Sequence, residues 1–224
     1  MKRIALYGGT FDPVHAGHIA VARELLRLFA LDEVLFIPAF VAPHKREREV
    51  TPAVQRYAML ALATQDDPRL CISTIELDEP TKPYTFETLA RMQSSLGREA
   101  ELFFIMGADS WMELGTWREW ERVLEMSNHV VVTRPGYELS TEHMPPAIRE
   151  RVVDLRGLGP EAVMSEINQS GRLKIYATDA VVLDVSATGI RELVRAGGRS
   201  AELTRLMPPP VASFVEKYKL YRKS

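Results

Sequence analysis

Gly8-Gly9-Thr10-Phe11-Asp12-Pro13-Val14-His15-Ala16-Gly17-His18 follows four residues of strand character, Ile4-Ala5-Leu6-Tyr7, and leads into a helical pattern. Strand, glycine turn and helix in that order open a β-α unit. Residues 18–30 place Ile19, Ala22, Leu25, Leu26 and Phe29 on one face and Arg23, Glu24 and Arg27 on the other. The turn is not G-x-G-x-x-G, and it lacks the Gly-Lys-Ser/Thr ending of a Walker loop. It still has the parts of an anion site. Glycines let backbone N–H groups come close to a ligand. A helix start adds unpaired N–H groups and a partial positive charge. His15 and His18 are three apart, so at a helix start they share a face and can donate to phosphate oxygens. Two other readings stand beside this one: a plain turn, and a metal site of Asp12, His15 and His18. The lack of further His, Asp or Glu nearby counts against the metal.

The same rhythm continues outward. Val34-Leu35-Phe36-Ile37 reads as a second strand stopped by Pro38. Thr51-Pro52 reads as a helix start, a capping residue before a first-turn proline. Residues 70–77 are strand-like, and residues 85–96 are helical and closed by Gly97. Leu102-Phe103-Phe104-Ile105-Met106 and His129-Val130-Val131-Val132-Thr133 are unbroken or nearly unbroken apolar runs. Such runs suit strands buried on both faces of a parallel sheet. Val181-Val182-Leu183 is the last strand candidate. Ser186 or Thr188 then caps a helix with Ile190, Leu193 and Val194 inward and Gly197 at its end. Pro208-Pro209-Pro210 breaks the chain before a final amphipathic helix within residues 208–224. Residues 137–174 have mixed periodicity and read as either a helical insertion or a loop. The expectation is one α/β domain over residues 1–224: a doubly wound, mainly parallel sheet with helices on both faces. Ligands of such sheets bind at the carboxyl ends of the strands, where strand order reverses.

Composition excludes other classes. The 224 residues are 46% apolar and 26% charged, values of an ordinary folded protein rather than a disordered one. Lys plus Arg is 28 and Asp plus Glu is 30, so no global charge draws the chain to nucleic acid or an acidic membrane. Cys71 is the only cysteine, which rules out an internal disulfide and a cysteine zinc site. No apolar run reaches the ~20 residues of a membrane helix, and no signal-like segment follows Met1. The expected setting is cytoplasmic.

The turn resembles the first signature of the HxGH nucleotidyltransferases, a Rossmann-like superfamily. Its second signature, S-x-T-x-I-R, is matched by Ser186-Ala187-Thr188-Gly189-Ile190-Arg191. Here a hydroxyl pair opens a helix, and an arginine one turn in adds a fixed charge for a phosphate. Between the signatures the chain is similar to the bacterial nicotinate-nucleotide adenylyltransferases. The matching stretches are Pro43-His44-Lys45, Tyr84-Thr85 with Thr88-Leu89, Gly107-Ala108-Asp109-Ser110, Thr116-Trp117 and Arg134-Pro135-Gly136-Tyr137.

That resemblance implies adenylyl transfer from ATP to nicotinate mononucleotide, with pyrophosphate released. It implies His15, His18, Lys45 and Arg191 as catalytic residues, and Gly8, Gly9, Thr10, Phe11, Ser186 and Thr188 at the ATP phosphates. Gly107 and Asp109 would meet a ribose, and Tyr84, Thr85, Trp117 and Arg134 the acceptor. Trp117 rather than Trp120 takes that role by resemblance alone, and Thr85 could equally be a helix cap. Mg²⁺ would bridge substrate phosphates, with no protein metal site. The expected partners are the two small substrates, with no nucleic acid or membrane; homo-oligomerisation is left open. One departure concerns Ala39-Phe40-Val41-Ala42, where relatives commonly carry asparagine and a second proline. A polar contact to the acceptor is either missing there or supplied elsewhere. The rivals are a sibling transferase using nicotinamide mononucleotide or phosphopantetheine, a nucleotide sensor without turnover, and a metal-dependent hydrolase.

Overall fold

A computed structural model describes residues 1–40, 50–78, 83–97, 99–133, 139–169, 171, 173–179 and 185–222. The first expected unit forms as β1 (Lys2–Gly9) followed by α1 (Ala16–Leu28). Next come β2 (Glu33–Pro38), α2 (Ala53–Thr64), β3 (Leu70–Ile72), α3 (Thr85–Leu96) and β4 (Ala100–Gly107). The chain continues through α4 (Ala108–Met112), a 3-10 turn at Leu114–Thr116, α5 (Trp120–Leu124) and β5 (Asn128–Val132). It ends with α6 (Pro146–Arg149), β6 (Val152–Asp154), α7 (Pro160–Ile167), β7 (Ile175–Thr178), α8 (Ala187–Arg195), α9 (Ser200–Leu206) and α10 (Pro209–Lys217).

Among the described residues seven strands form one sheet in the order β3-β2-β1-β4-β5-β7-β6. Every pairing is parallel. Side chains alternate between the two faces with the period of two that a strand requires. Ala5, Phe36, Phe103, Ile105, Val130 and Tyr176 pack on one side, toward α1, α2 and α7 to α10. Ile4, Leu6, Leu35, Ile37, Phe104, Met106 and Val131 pack on the other, toward α3, α4 and α5. Burial on both faces is why these strands read as apolar runs. The doubly wound architecture is therefore present, and strand order reverses between β1 and β4.

Several local expectations change. Pro52, not Thr51, is the N-cap of α2. Tyr84, not Thr85, caps α3, and its N–H donates to Glu87 Oε2 at 2.7 Å. The strand expected over residues 70–77 stops at Ile72, because residues 75–77 turn. The three prolines at 208–210 start α10 instead of only breaking the chain. Residues 137–174 are neither all helix nor all loop: they supply α6, α7 and the edge strand β6. The strand expected at Val181-Val182-Leu183 lies outside the described residues.

Candidate active site

The glycine turn sits at the carboxyl end of β1, at the point of strand-order reversal. Phe11 has φ +51°, a left-handed conformation for a bulky residue, and its ring turns back over Gly9. A Cβ on Gly9 would lie 2.9 Å from that ring, so only glycine leaves room. The Phe11 ring packs against Tyr7, His18 and Phe36.

His15 is the N-cap of α1 and His18 is its third residue. Their rings stack with centroids 3.6 Å apart. The His15 backbone N–H donates to His18 Nδ1 at 3.1 Å. A ring nitrogen that accepts carries no proton, so neutral His18 holds its proton on Nε2. His15 is buried, and desolvation pulls its pKa down to about 4. It is therefore neutral at pH 7, an N–H donor and not a cation. Its Nδ1 is buried without a partner among the described residues.

The second signature meets the first in space. Ser186 caps α8 by accepting from the Gly189 N–H at 3.1 Å. Arg191 is buried; it donates to the Asp12 carbonyl at 2.6 Å and to Thr188 Oγ1 at 2.9 Å. One guanidinium thus joins two motifs 179 residues apart. The Asp12 carboxylate is occupied as well. Its Oδ1 accepts from the Tyr221 hydroxyl at 2.7 Å and its Oδ2 from the Thr51 N–H at 3.3 Å. Among the described residues no group of three or more His, Cys, Asp or Glu could hold a metal ion. In the alternative metal triad of Asp12, His15 and His18, both Asp12 oxygens are thus already engaged within the protein.

Other expected residues gather on the far side of β4. Phe104 of β4 lies 3.7 Å from where a Gly8 Cβ would be, and its ring is edge-on to Trp117 at 6.4 Å. Arg118, next to Trp117, stands over the Tyr84 ring at 5.5 Å, bringing the start of α3 beside the Trp117 segment. The three tryptophans now separate. Trp111 is fully buried and its indole donates to the Ser140 carbonyl at 3.0 Å, a core role. Trp117 Nε1 is buried with no partner among the described residues. Trp120 opens α5 and packs against the core. Gly107 caps α4 and Asp109 is exposed within it, at the carboxyl end of β4. Lys45 and Arg134 lie outside the described residues.

Sequence reasoning passed over three residues: Phe104, Tyr221 and Arg56. Arg56 had a signal. It falls on the buried stripe of α2 with Met59, Leu60 and Ala63, where a charge needs a reason. Its Nη1 donates to the Thr10 carbonyl at 2.7 Å, and its Nη2 to those of Ala39 at 2.7 Å and Phe40 at 3.1 Å. Its Nε donates to the Thr51 carbonyl at 2.9 Å. The Ala39 and Phe40 carbonyls are thus engaged within the protein, and Val41-Ala42 of the same stretch lie outside the described residues.

The chain is 37% identical over 224 residues to a Thermoanaerobacter sp. (strain X514) protein named "Probable nicotinate-nucleotide adenylyltransferase", covering 99% of this chain and 95% of that one. A Symbiobacterium thermophilum protein of the same name is 37% identical over 221 residues, covering 99% and 96%. The fold is similar to that of Plasmodium falciparum nicotinic acid mononucleotide adenylyltransferase complexed with NaAD. That match has a TM-score of 0.71 at 15% identity and covers 99% of this chain and 98% of that one. Residues 6–193 match the cytidylyltransferase-like family model, and this chain belongs to that family.

Proposed function

We propose that this chain transfers the adenylyl group of ATP to nicotinate mononucleotide, forming nicotinate adenine dinucleotide and pyrophosphate, a step of NAD biosynthesis. The observation that carries this reading is full-length similarity to proteins named for that activity, joined to the Arg191–Asp12 bond that unites both signatures. The acceptor's phosphate oxygen attacks the α-phosphorus. A new P–O bond forms, and the bond from the α-phosphorus to its bridging oxygen breaks. The electron pair leaves with pyrophosphate. The nucleophile is already anionic at neutral pH, so no general base is required. Catalysis is positioning of two polyanions plus charge stabilisation.

In this reading Gly8, Gly9, Thr10 and Phe11 present backbone N–H groups to the phosphates, while His15 and His18 donate from their rings. Neutral His15 contributes an N–H dipole, consistent with its burial. Lys45, Arg191 and the α8 start at Ser186 and Thr188 face the leaving pyrophosphate, with Arg191 also fixing the turn. Asp109 and Gly107 take a ribose; Tyr84, Thr85, Trp117 and Arg134 take the nicotinate end. The unpartnered Trp117 indole N–H supports that grouping. If Mg²⁺ is bound with the nucleotide, it would supply charge neutralisation at the phosphates, with no residue of this chain assigned to hold it. The engagement of both Asp12 oxygens within the protein fits that arrangement. No helix among the described residues is long and apolar enough to cross a membrane. The reading keeps one domain over residues 1–224, a cytoplasmic location and two small-molecule substrates.

The test is pyrophosphate release from ATP and Mg²⁺ with nicotinate mononucleotide, nicotinamide mononucleotide or phosphopantetheine. The acid should give the highest kcat/KM. Preference for another acceptor makes this a sibling transferase, and no release with any acceptor makes it a nucleotide sensor.

A further inference from the structure

We infer that Arg56 is a positioning residue for the nucleotide: its guanidinium fixes the phosphate-binding turn from inside, through the backbone. The inference rests on the adenylyltransferase reading above. Arg56 is fully buried in α2. Its four hydrogen bonds reach carbonyls on three separate segments: the turn at Thr10, the end of β2 at Ala39 and Phe40, and the α2 start at Thr51. A buried cation whose hydrogen bonds all go to neutral carbonyls is costly to keep; desolvation lowers the Arg56 pKa, and the Asp12 carboxylate offsets that only in part. Packing alone would be served more cheaply by methionine or leucine.

The geometry says what the cation does. In a trans peptide the C=O and the following N–H point in opposite directions. Arg56 holds the Thr10 carbonyl inward, which turns the Phe11 N–H outward. The Ala39 N–H holds the Gly9 carbonyl at 2.9 Å, which turns the Thr10 N–H away from β2. Arg56 also holds the Ala39 carbonyl, so both constraints pass through one side chain. Two successive N–H groups are aimed before any ligand arrives, and preorganised donors of this kind are what anion binding needs. A planar fork spans these acceptors, whereas a lysine ammonium cannot reach all four at once.

The test compares Arg56→Lys with Arg151→Lys. Arg151 is also buried and also holds carbonyls, those of Leu124 and Leu173, but at the amino ends of β5 and β7, away from the turn. Pyrophosphate release is measured against ATP and against acceptor, with a thermal melt of each variant. Arg56→Lys should lower kcat/KM for ATP at least about tenfold. Arg151→Lys, at a similar melting loss, should stay within about twofold of the unaltered chain. Arg56→Met should lose more than Arg56→Lys, and cooling should restore neither Arg56 variant. Arg56 variants within twofold of the unaltered chain overturn the proposal while leaving the activity intact. So does a loss that Arg151→Lys shares. An unaltered chain that releases no pyrophosphate overturns the adenylyltransferase reading itself, and the proposal with it.

Discussion

Replacing Gly17 with alanine sets two local forces against each other. Gly17 is the second residue of α1 and lies in helical conformation. Alanine normally favours a helix over glycine by up to about 1 kcal/mol, so propensity alone predicts a gain. Space predicts the opposite. The added Cβ would lie 2.9 Å from Val185 Cγ1 and 3.1 Å from His15 Nδ1. Both side chains must give by a few tenths of an ångström or leave their rotamers, at about 0.5–1.5 kcal/mol each. The combined cost of about 1–3 kcal/mol exceeds the gain by about 1 kcal/mol at mid-range, so the melting temperature should fall by about 2–4 °C. Function should fall further than that. The His15 ring that must yield is stacked on His18 at 3.6 Å. A misplacement of about 1 Å can cost 10²-fold in rate, so a shift of half that size predicts roughly a tenfold loss in kcat/KM for ATP. Pyrophosphate release and a calorimetric melt on one preparation check both halves. A Gly17→Ala variant with kcat/KM within twofold of the parent would refute the argument. So would an activity loss matched by a collapse in melting temperature.

Three further outcomes follow from the same geometry. Trp117→Phe removes one buried, unpartnered N–H and should raise the acceptor KM roughly fivefold while leaving that for ATP nearly unchanged; equal effects on both remove Trp117 from the acceptor pocket. Tyr221→Phe leaves buried Asp12 short of one donor, about 1–3 kcal/mol, and should lower the melting temperature by roughly 5 °C; an unchanged melt excludes the contact. Burial holds His15 at about 4 and His129 at about 3, against 6.5 for an unfolded histidine. Between those values the unfolded chain binds more protons, so stability is full above pH 6.5 and falls as the pH drops toward the folded values. Two histidines predict a loss of roughly 3 kcal/mol between pH 6.5 and 5, because each reaches its full slope of about 1.4 kcal/mol per pH unit only below 6.5. A melting temperature flat over that range contradicts the neutral, buried assignment.

What the sequence revealed and what it concealed follow the range of each interaction. His15 and His18 were legible because a spacing of three at a helix start fixes their neighbourhood locally. Parallel strands were legible because burial on both faces leaves unbroken apolar runs such as 102–106. Arg191 was legible as a charge at a helix start, but its bond to Asp12 was not, since nothing local pairs residues that far apart. The expected cap of α2 went wrong for a specific reason, whereas Ser186 and Gly97 cap as expected. Thr51 has hydroxyl chemistry suited to capping, yet its carbonyl answers Arg56 and its N–H answers Asp12, so Pro52 takes the boundary position. The edge strand β6 is only three residues long and too short for a periodic signal. Arg56 could have been suspected as a charge on an apolar stripe; which carbonyls it serves required the fold.

The Tyr221–Asp12 bond sets an order of events during translation. Asp12 is made before the hydroxyl that holds its carboxylate, which lies 209 residues further along. A nascent chain that stops short of Tyr221 would carry both histidines and the glycine bend, yet lack this tether. The bend at the carboxyl end of β1 is therefore locked only after the polypeptide has been made out to residue 221.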